Sequence, residues 1–234
     1  MTDGPGADVG LERPAVRTTL ERLHADAAGD TWRFLRKAPA IAFGLLRGHG
    51  LDGVLTGGLM RDVYISLSPE AGRLLYLTAR AIGARRIVEF GTSFGISTIY
   101  LAAAVRDNGG GSVIGTELEP DKQAAATANL AAAALSEVAE VRLGDALQTL
   151  REVPGPVDVV LLDGWKNLYL PVLELLTPRL RRGSVVFADN INMFKSALAP
   201  YVAHMQSGRH GFRSVTLPIG SGLEYSLYEG IAPA

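Results

Sequence analysis

From Arg86 onward short apolar runs alternate with longer stretches whose apolar positions recur at helical spacing. The run Arg86–Phe90 predicts a strand that stops at Gly91, and Gly95–Val105 predicts the helix that follows it. The pattern then repeats. Ser112–Glu117 reads as a strand, Pro120–Leu135 as an alanine-rich helix, Val138–Leu143 as a strand and Ala146–Glu152 as a short helix. Val157–Asp163 is a strand closed by an acid, Leu168–Leu180 a helix, Arg182-Gly183 a turn and Ser184–Ala188 a strand. Strands alternating with helices predict an α/β fold, a doubly wound and mostly parallel sheet of Rossmann-like type. The alternation ends with Phe212–Leu217 and Glu224–Glu229, which flank Gly220-Ser221-Gly222 and predict an antiparallel hairpin completing the sheet edge.

Upstream of this block the pattern is helical and glycine-broken. Val16, Leu20 and Leu23 fall at helical spacing in Pro14–Ala28, and Trp32, Phe34 and Leu35 begin a second helical piece toward Leu46. Gly48, Gly50, Gly53, Gly57 and Gly58 interrupt it, as a lid or as a plain surface connection. Ser68-Pro69-Glu70 supplies an N-cap, a proline at the first helical position and an early acid, so a helix is expected to run to about Ile82. The division expected is a helical extension or lid over 1–67, frayed at its Gly/Pro-rich start, and a catalytic domain over 68–234. Trp32, Phe34, Phe43 and Met60 are candidates for an apolar wall that selects an acceptor, with a helical core stripe as the other use.

Composition narrows the function classes. The 234 residues carry 23 Lys and Arg against 24 Asp and Glu, a net charge of -1, with no basic run, so nucleic acid is not an expected partner. With 0 Cys there is no disulfide framework, thiolate nucleophile or thiolate metal site, and any metal must use oxygen or histidine ligands. The N-terminus shows no basic stretch followed by an apolar one, and the apolar piece Ala38–Leu46 is too short to cross a bilayer. A cytoplasmic protein without a membrane partner is expected, with a second copy of the chain left open as a partner. His24, His49, His204 and His210 form no i, i+4 pair and read as surface or packing residues.

The chemistry collects at the carboxyl ends of the predicted strands. Glu89-x-Gly91-x-x-x-Gly95 is a strand-to-helix glycine turn with an acid ahead of it and lacks the third glycine of a dinucleotide fingerprint. A carboxylate there repels a diphosphate and attracts a sulfonium or an amino group. This is the pattern of class I methyltransferases, which bind S-adenosylmethionine. Thr92, Ser93 and Ser97 belong to the same turn. Glu117, with Leu118 after it, stands where an acid accepts from ribose hydroxyls, or else is a solvated loop carboxylate. Asp145, followed by Ala146, either accepts from the adenine amino group or caps a helix. Trp165 offers a face to stack on adenine or is a core tryptophan. The strand ends continue with Asp163 and with Asp189-Asn190, so five successive strands deliver a polar group to one edge.

Three separated segments resemble the catechol O-methyltransferase family: Asp163-Gly164-Trp165-Lys166-Asn167-Leu168-Tyr169, Ala188-Asp189-Asn190, and Gly222-Leu223-Glu224-Tyr225-Ser226-Leu227-Tyr228. The resemblance implies transfer of a methyl group from S-adenosylmethionine to a hydroxyl of a small catechol-like, hydroxylated aromatic acceptor, with Mg²⁺ or another divalent cation as second cofactor. It implies Asp163, Asp189 and Asn190 as metal ligands, Asp163 also bordering the cofactor, Lys166 as general base and Glu224 as the group holding the second hydroxyl. Oxygen donors suit a hard cation. A nearby cation and partial burial both disfavour a lysine ammonium, which suits Lys166 to the role of base. Gly164 replaces a histidine of the mammalian enzymes, a change expected to open room near the adenine. Asn167 replaces an aspartate, and Ile191–Ala199 lacks the family's proline-containing loop near the catechol ring. Two rivals stand beside this reading, a metal-independent methyltransferase for a natural product and a nonenzymatic S-adenosylmethionine-binding module.

Overall fold

The structure, a computed structural model, describes residues 9–29 and 67–230. The second helical piece, the glycine-rich connection, His49 and the candidate wall residues Trp32, Phe34, Phe43 and Met60 lie outside the described residues. Helix α1 spans residues 14–29. It is followed by α2 (Pro69–Ala81), β1 (Arg86–Phe90), α3 (Ile96–Asp107), β2 (Ser112–Glu117), α4 (Pro120–Ala132), β3 (Ala139–Leu143), α5 (Ala146–Thr149), β4 (Val157–Leu162), α6 (Tyr169–Leu176), β5 (Leu180–Ala188), α7 (Lys195–Gln206), β6 (Phe212–Leu217) and β7 (Leu223–Tyr228).

The seven strands form one sheet in the order β3-β2-β1-β4-β5-β7-β6. The first five are parallel, and β7 lies antiparallel between β5 and β6, so the hairpin closes the edge as the sequence predicts. Strand order reverses between β1 and β4, the position where open α/β sheets bind ligands at the strands' carboxyl ends.

Side chains alternate across the strands and build a core on each face. Ile87, Val159, Leu161 and Phe187 pack with α2, α3 and α4 on one side. Val88, Phe90, Val160, Leu162 and Val186 pack with α6 and α7 on the other. Helix α3 is buried from Ile96 to Val105. Such a helix, apolar on all sides, must be covered twice. The sheet covers one side, and α1 and α2 the other, with Val16, Leu20, Leu23 and Leu75 in the same core. Residues 14–29 of the N-terminal extension are therefore fastened to the sheet domain.

The expected cap of α2 is present, with Ser68 Oγ accepting from the Ala71 amide at 3.2 Å. Three expectations need correction. Ser184–Ala188 is the second half of a longer strand, because Arg182-Gly183 forms a bulge and not a turn: Val157 pairs with Leu180 and Val159 with Val185. Leu168–Leu180 is not one helix. It opens with a 3₁₀ turn over Lys166–Leu168 and gives way to another over Thr177–Arg179, where Pro178 has no amide to donate. Finally, α7 follows the Asp189-Asn190 pair where no helix was predicted, and Leu198, Tyr201 and Met205 bury its inner face.

Candidate active site

Two groups of side chains meet at the carboxyl edge of the sheet, one around the β1 turn and one between β4 and β5. In the first, Glu89 is fully buried at the end of β1. Its Oε2 accepts from Thr92 Oγ1 at 2.9 Å and from Thr98 Oγ1 at 2.5 Å, while Oε1 has no hydrogen-bond partner. Burial pushes the Glu89 carboxyl above its ordinary range against the opposing pull of the Ser97, Thr98 and Thr92 hydroxyls. Gly91 has φ 93° because the chain must turn where the β1 and β4 loops cross. A Cβ there would stand 2.6 Å from the Gly164 backbone. Gly95 begins α3, with its amide bonded to the Thr92 carbonyl at 2.9 Å.

Glu117, at the end of β2, faces this turn. Its Oε2 accepts from the Ser93 amide at 2.8 Å, and its Oε1 from the amides of Leu118 at 2.8 Å and Glu119 at 3.0 Å. The carboxylate is thereby fixed beside the glycine turn. Asp145 is the N-cap of α5, accepting from the Leu147 amide at 2.9 Å through Oδ1. Ala146 is buried next to it, whereas Leu118 and Trp165 are exposed at the rim. Gly164 does not open room. A Cβ there would lie 2.4 Å from Phe90 Cζ, so the Phe90 ring already fills that volume and the expected space near the adenine is absent.

The second group is held by the ends of β4 and β5. Asp163 follows β4, and Asp189 and Asn190 follow β5, both buried. Asn190 has φ 66°, a left-handed conformation that asparagine tolerates better than most residues. Its amide donates to Asp189 Oδ1 at 2.7 Å. Its Nδ2 donates to Ser221 Oγ at 2.7 Å, and Ser221 Oγ donates to Asp189 Oδ1 at 3.2 Å. The 3₁₀ turn after β4 swings Lys166 back over this pair. Its Nζ donates to Asn190 Oδ1 at 2.5 Å and to the Tyr169 hydroxyl at 2.9 Å, and lies 3.7 Å from Asp163 Oδ1.

Burial, with the Asp189 charge adding to it, pushes the Asp163 carboxyl well above the usual carboxylate range against the pull of Lys166. Burial also raises Asp189. Two largely buried carboxylates beside an amide oxygen make a hard-oxygen donor set. Donor chemistry of this kind fits a small divalent cation.

Glu224 lies in β7 and makes its hydrogen bonds to other partners. It is fully buried in the sheet, where Ser214 Oγ, Thr216 Oγ1 and Gln206 Nε2, the last at 2.9 Å, all donate to its carboxylate. Its oxygens accept from these three donors, and the strand register sets it opposite Ala188, next to Asp189. Two residues given no role by the sequence stand in the cluster. Tyr169 follows Lys166 by one helical turn, and Ser221 sits in the hairpin's glycine turn, so helical spacing signals the first and nothing local signals the second.

The profile of a family described as a methyltransferase domain matches residues 88–191. Catechol O-methyltransferase of Mycobacterium tuberculosis is 37% identical over 128 residues, 54% of this chain and 57% of that protein. The chain spans just over half the length of the curated relatives it matches first. Among solved structures, cofactor-bound Rv0187 from MTB is similar with a TM-score of 0.65 and 30% identity, covering 71% of this chain and 83% of that one. The O-methyltransferase TomG from Streptomyces achromogenes, involved in tomaymycin synthesis and solved in complex with S-adenosylmethionine, is similar with a TM-score of 0.65 and 27% identity, covering 74% and 86%.

Proposed function

We propose that the chain is a class I O-methyltransferase of catechol O-methyltransferase type, a reading its similarity to such proteins supports, and that it transfers the methyl group of S-adenosylmethionine to a hydroxyl of a small catechol-like acceptor. The observation that carries the reading is the meeting of Asp163, Lys166, Asp189 and Asn190 at one sheet edge, next to a glycine turn with a ribose-type acid.

In this reading the β1 turn from Glu89 to Ser97 receives the cofactor, Glu117 accepts from its ribose hydroxyls, and Asp145, Ala146 and the exposed face of Trp165 border the adenine. Asp163, Asp189 and Asn190 would hold Mg²⁺ or a similar cation, which when bound lowers the pKa of an acceptor hydroxyl and fixes its direction. Lys166 Nζ takes the hydroxyl proton. The acceptor oxygen then forms a bond to the methyl carbon as the carbon–sulfur bond breaks and its electron pair returns to sulfur, which leaves as a neutral thioether. The sulfonium already activates the methyl group, so the chain's main contribution is to hold two reactants in line. Among the described residues no helix is long and apolar enough to cross a membrane.

A metal-independent transfer is the second reading. The contact of Lys166 Nζ with Asn190 Oδ1 favours it, because an ammonium already meets one of the three donors. The deciding experiment incubates the protein with radiolabelled S-adenosylmethionine and a panel of catechols, with and without a chelator. Label is expected in the catechol fraction and is expected to vanish on chelation and return with Mg²⁺. Transfer that survives chelation would move the assignment to the second reading, and binding of the cofactor without transfer to any hydroxyl would overturn both.

A further inference from the structure

We propose that Asn129 is a positioning residue for the β1 turn and that Arg22, on the N-terminal helix, sets its orientation, so that α1 takes part in cofactor affinity. This rests on the reading of that turn as the cofactor site. The turn is strained. Gly91 and Gly95 have φ 93° and 85°, and Ser93 between them, which carries a Cβ, has φ 50°. A residue with a side chain keeps such a left-handed conformation only where its surroundings hold it there. Glu117 holds one side of the Ser93-Phe94 pair, accepting from the Ser93 amide at 2.8 Å. Asn129 holds the other, its Nδ2 donating to the Phe94 carbonyl at 2.9 Å.

Asn129 lies on the buried side of α4, one turn after Ala126. Ala126 backs the same turn, because a Cβ on Gly95 would stand 3.4 Å from its Cβ. The amide bond to Phe94 works in one sense only. An amide donates from nitrogen and accepts at oxygen, and turning it over exchanges the two. Arg22 Nη2 donates to Asn129 Oδ1 at 2.7 Å. A guanidinium carries donors and no acceptor, so it takes the oxygen on its side and leaves the nitrogen for Phe94. Asp26 Oδ2, on the same helix, lies 3.5 Å from Arg22 Nη1 and steadies the guanidinium. The seat of α1 does not depend on this arginine, because Val16, Leu20 and Leu23 are in the core and His24 Nε2 lies 3.1 Å from the Tyr100 hydroxyl. Removing Arg22 therefore frees the amide to turn over while the helix stays in place. Once the bond to Phe94 is lost, Ser93 relaxes toward right-handed backbone and its amide leaves the Glu117 carboxylate that is read as the ribose acceptor.

The test is Asn129→Ala and Arg22→Met, singly and together, titrated with S-adenosylhomocysteine in a calorimeter well below the unfolding temperature of each protein. A turn that is competent only part of the time weakens apparent affinity by that fraction. Kd is expected to rise roughly tenfold in Asn129→Ala and about threefold in Arg22→Met, where water reaching the half-exposed position serves in part for the guanidinium. Arg22→Met is expected to add nothing further in the Asn129→Ala background. Leu20→Ala removes packing from the same helix without touching the relay, and is expected to lower the urea midpoint while Kd stays within about twofold. In turnover, Asn129→Ala should raise the S-adenosylmethionine KM and leave kcat at saturation within about twofold. Affinity unchanged in Asn129→Ala, or weakened equally by Leu20→Ala, would overturn the positioning role, and additive losses in the double variant would overturn the part given to Arg22. A wild-type protein that binds no S-adenosylhomocysteine would overturn the proposed function and the relay together. One that binds it, loses affinity in Asn129→Ala and transfers no methyl group would overturn the proposed function alone.

Discussion

Asp158 and Asp163 stand at opposite ends of β4, both largely buried, and their surroundings treat them in opposite ways. Asp158 accepts from the Arg85 amide at 2.7 Å, the Arg86 amide at 2.9 Å and Arg181 Nε at 2.6 Å. Burial alone would raise its pKa, but the two amides and the guanidinium outweigh it and hold the carboxyl below its ordinary range. The β5 bulge makes this possible by delivering Arg181 to that end of the strand, with Ser184 Oγ accepting from the Arg181 amide at 2.9 Å. Asp163 has burial, a second carboxylate and one lysine, and it is pushed up. One end of the strand satisfies its charge within the chain and contributes stability. The other sets two carboxylates beside one ammonium, and burial, the larger cause, raises its carboxyl.

The widest break in this comparison comes from crossing the two positions. Asp163→Asn is expected to lower turnover by roughly a hundredfold or more, while leaving the metal-free protein as stable as the wild type or more so. Steady-state kinetics and urea unfolding check the two halves. Asp158→Asn should do the reverse, costing about 2–3 kcal/mol in urea unfolding through loss of charge-assisted hydrogen bonds, with kcat preserved below the new midpoint. A substitution at the active edge that touches packing alone sharpens the point. Gly164→Ala should cost about 1–3 kcal/mol by driving a methyl group into the Phe90 ring, and Phe90→Leu in the same chain should recover part of that loss.

The smallest effect is in pH. The Asp158 contribution is present above the unfolded value of about 4 and is lost as pH falls through its lowered folded value. The penalty at Asp163 and Asp189 has the opposite course. It is present above their raised folded values and disappears as pH falls toward about 4. The stability advantage of Asp163→Asn over the wild type should therefore shrink on acidification, whereas the deficit of Asp158→Asn should persist until lower pH. Chemical denaturation of the metal-free proteins at a series of pH values reads both curves.

Much of this edge was legible in the residues. The alternation from Arg86 onward gives the doubly wound sheet, because buried parallel strands are apolar runs with few rivals for that pattern. The acids at the carboxyl ends of β1, β2, β4 and β5 are legible because strand ends are marked by where apolar runs stop. What was masked has physical causes. Helix α7 has apolar residues at helical spacing, but no side chain caps it and Pro200 lies inside it, so both of its usual signals are missing. The β5 bulge reads as a turn because Gly183, with φ 86°, looks the same in either setting until its partner strand is known. Glu224 shows the limit of motif reading. Ser214 and Thr216 reach it across the hairpin that the sequence predicts, but Gln206 comes from α7, whose approach no local pattern announces.

Ser221 belongs to the turn between the last two strands and still adds a bridge between Asn190 and Asp189. The backbone follows the same route, with the Ile191 and Asn192 amides donating to the Gly222 and Ser221 carbonyls at 2.9 Å each. The last turn of the chain is thereby stitched to the loop after β5, and a change of shape in either is felt by the other.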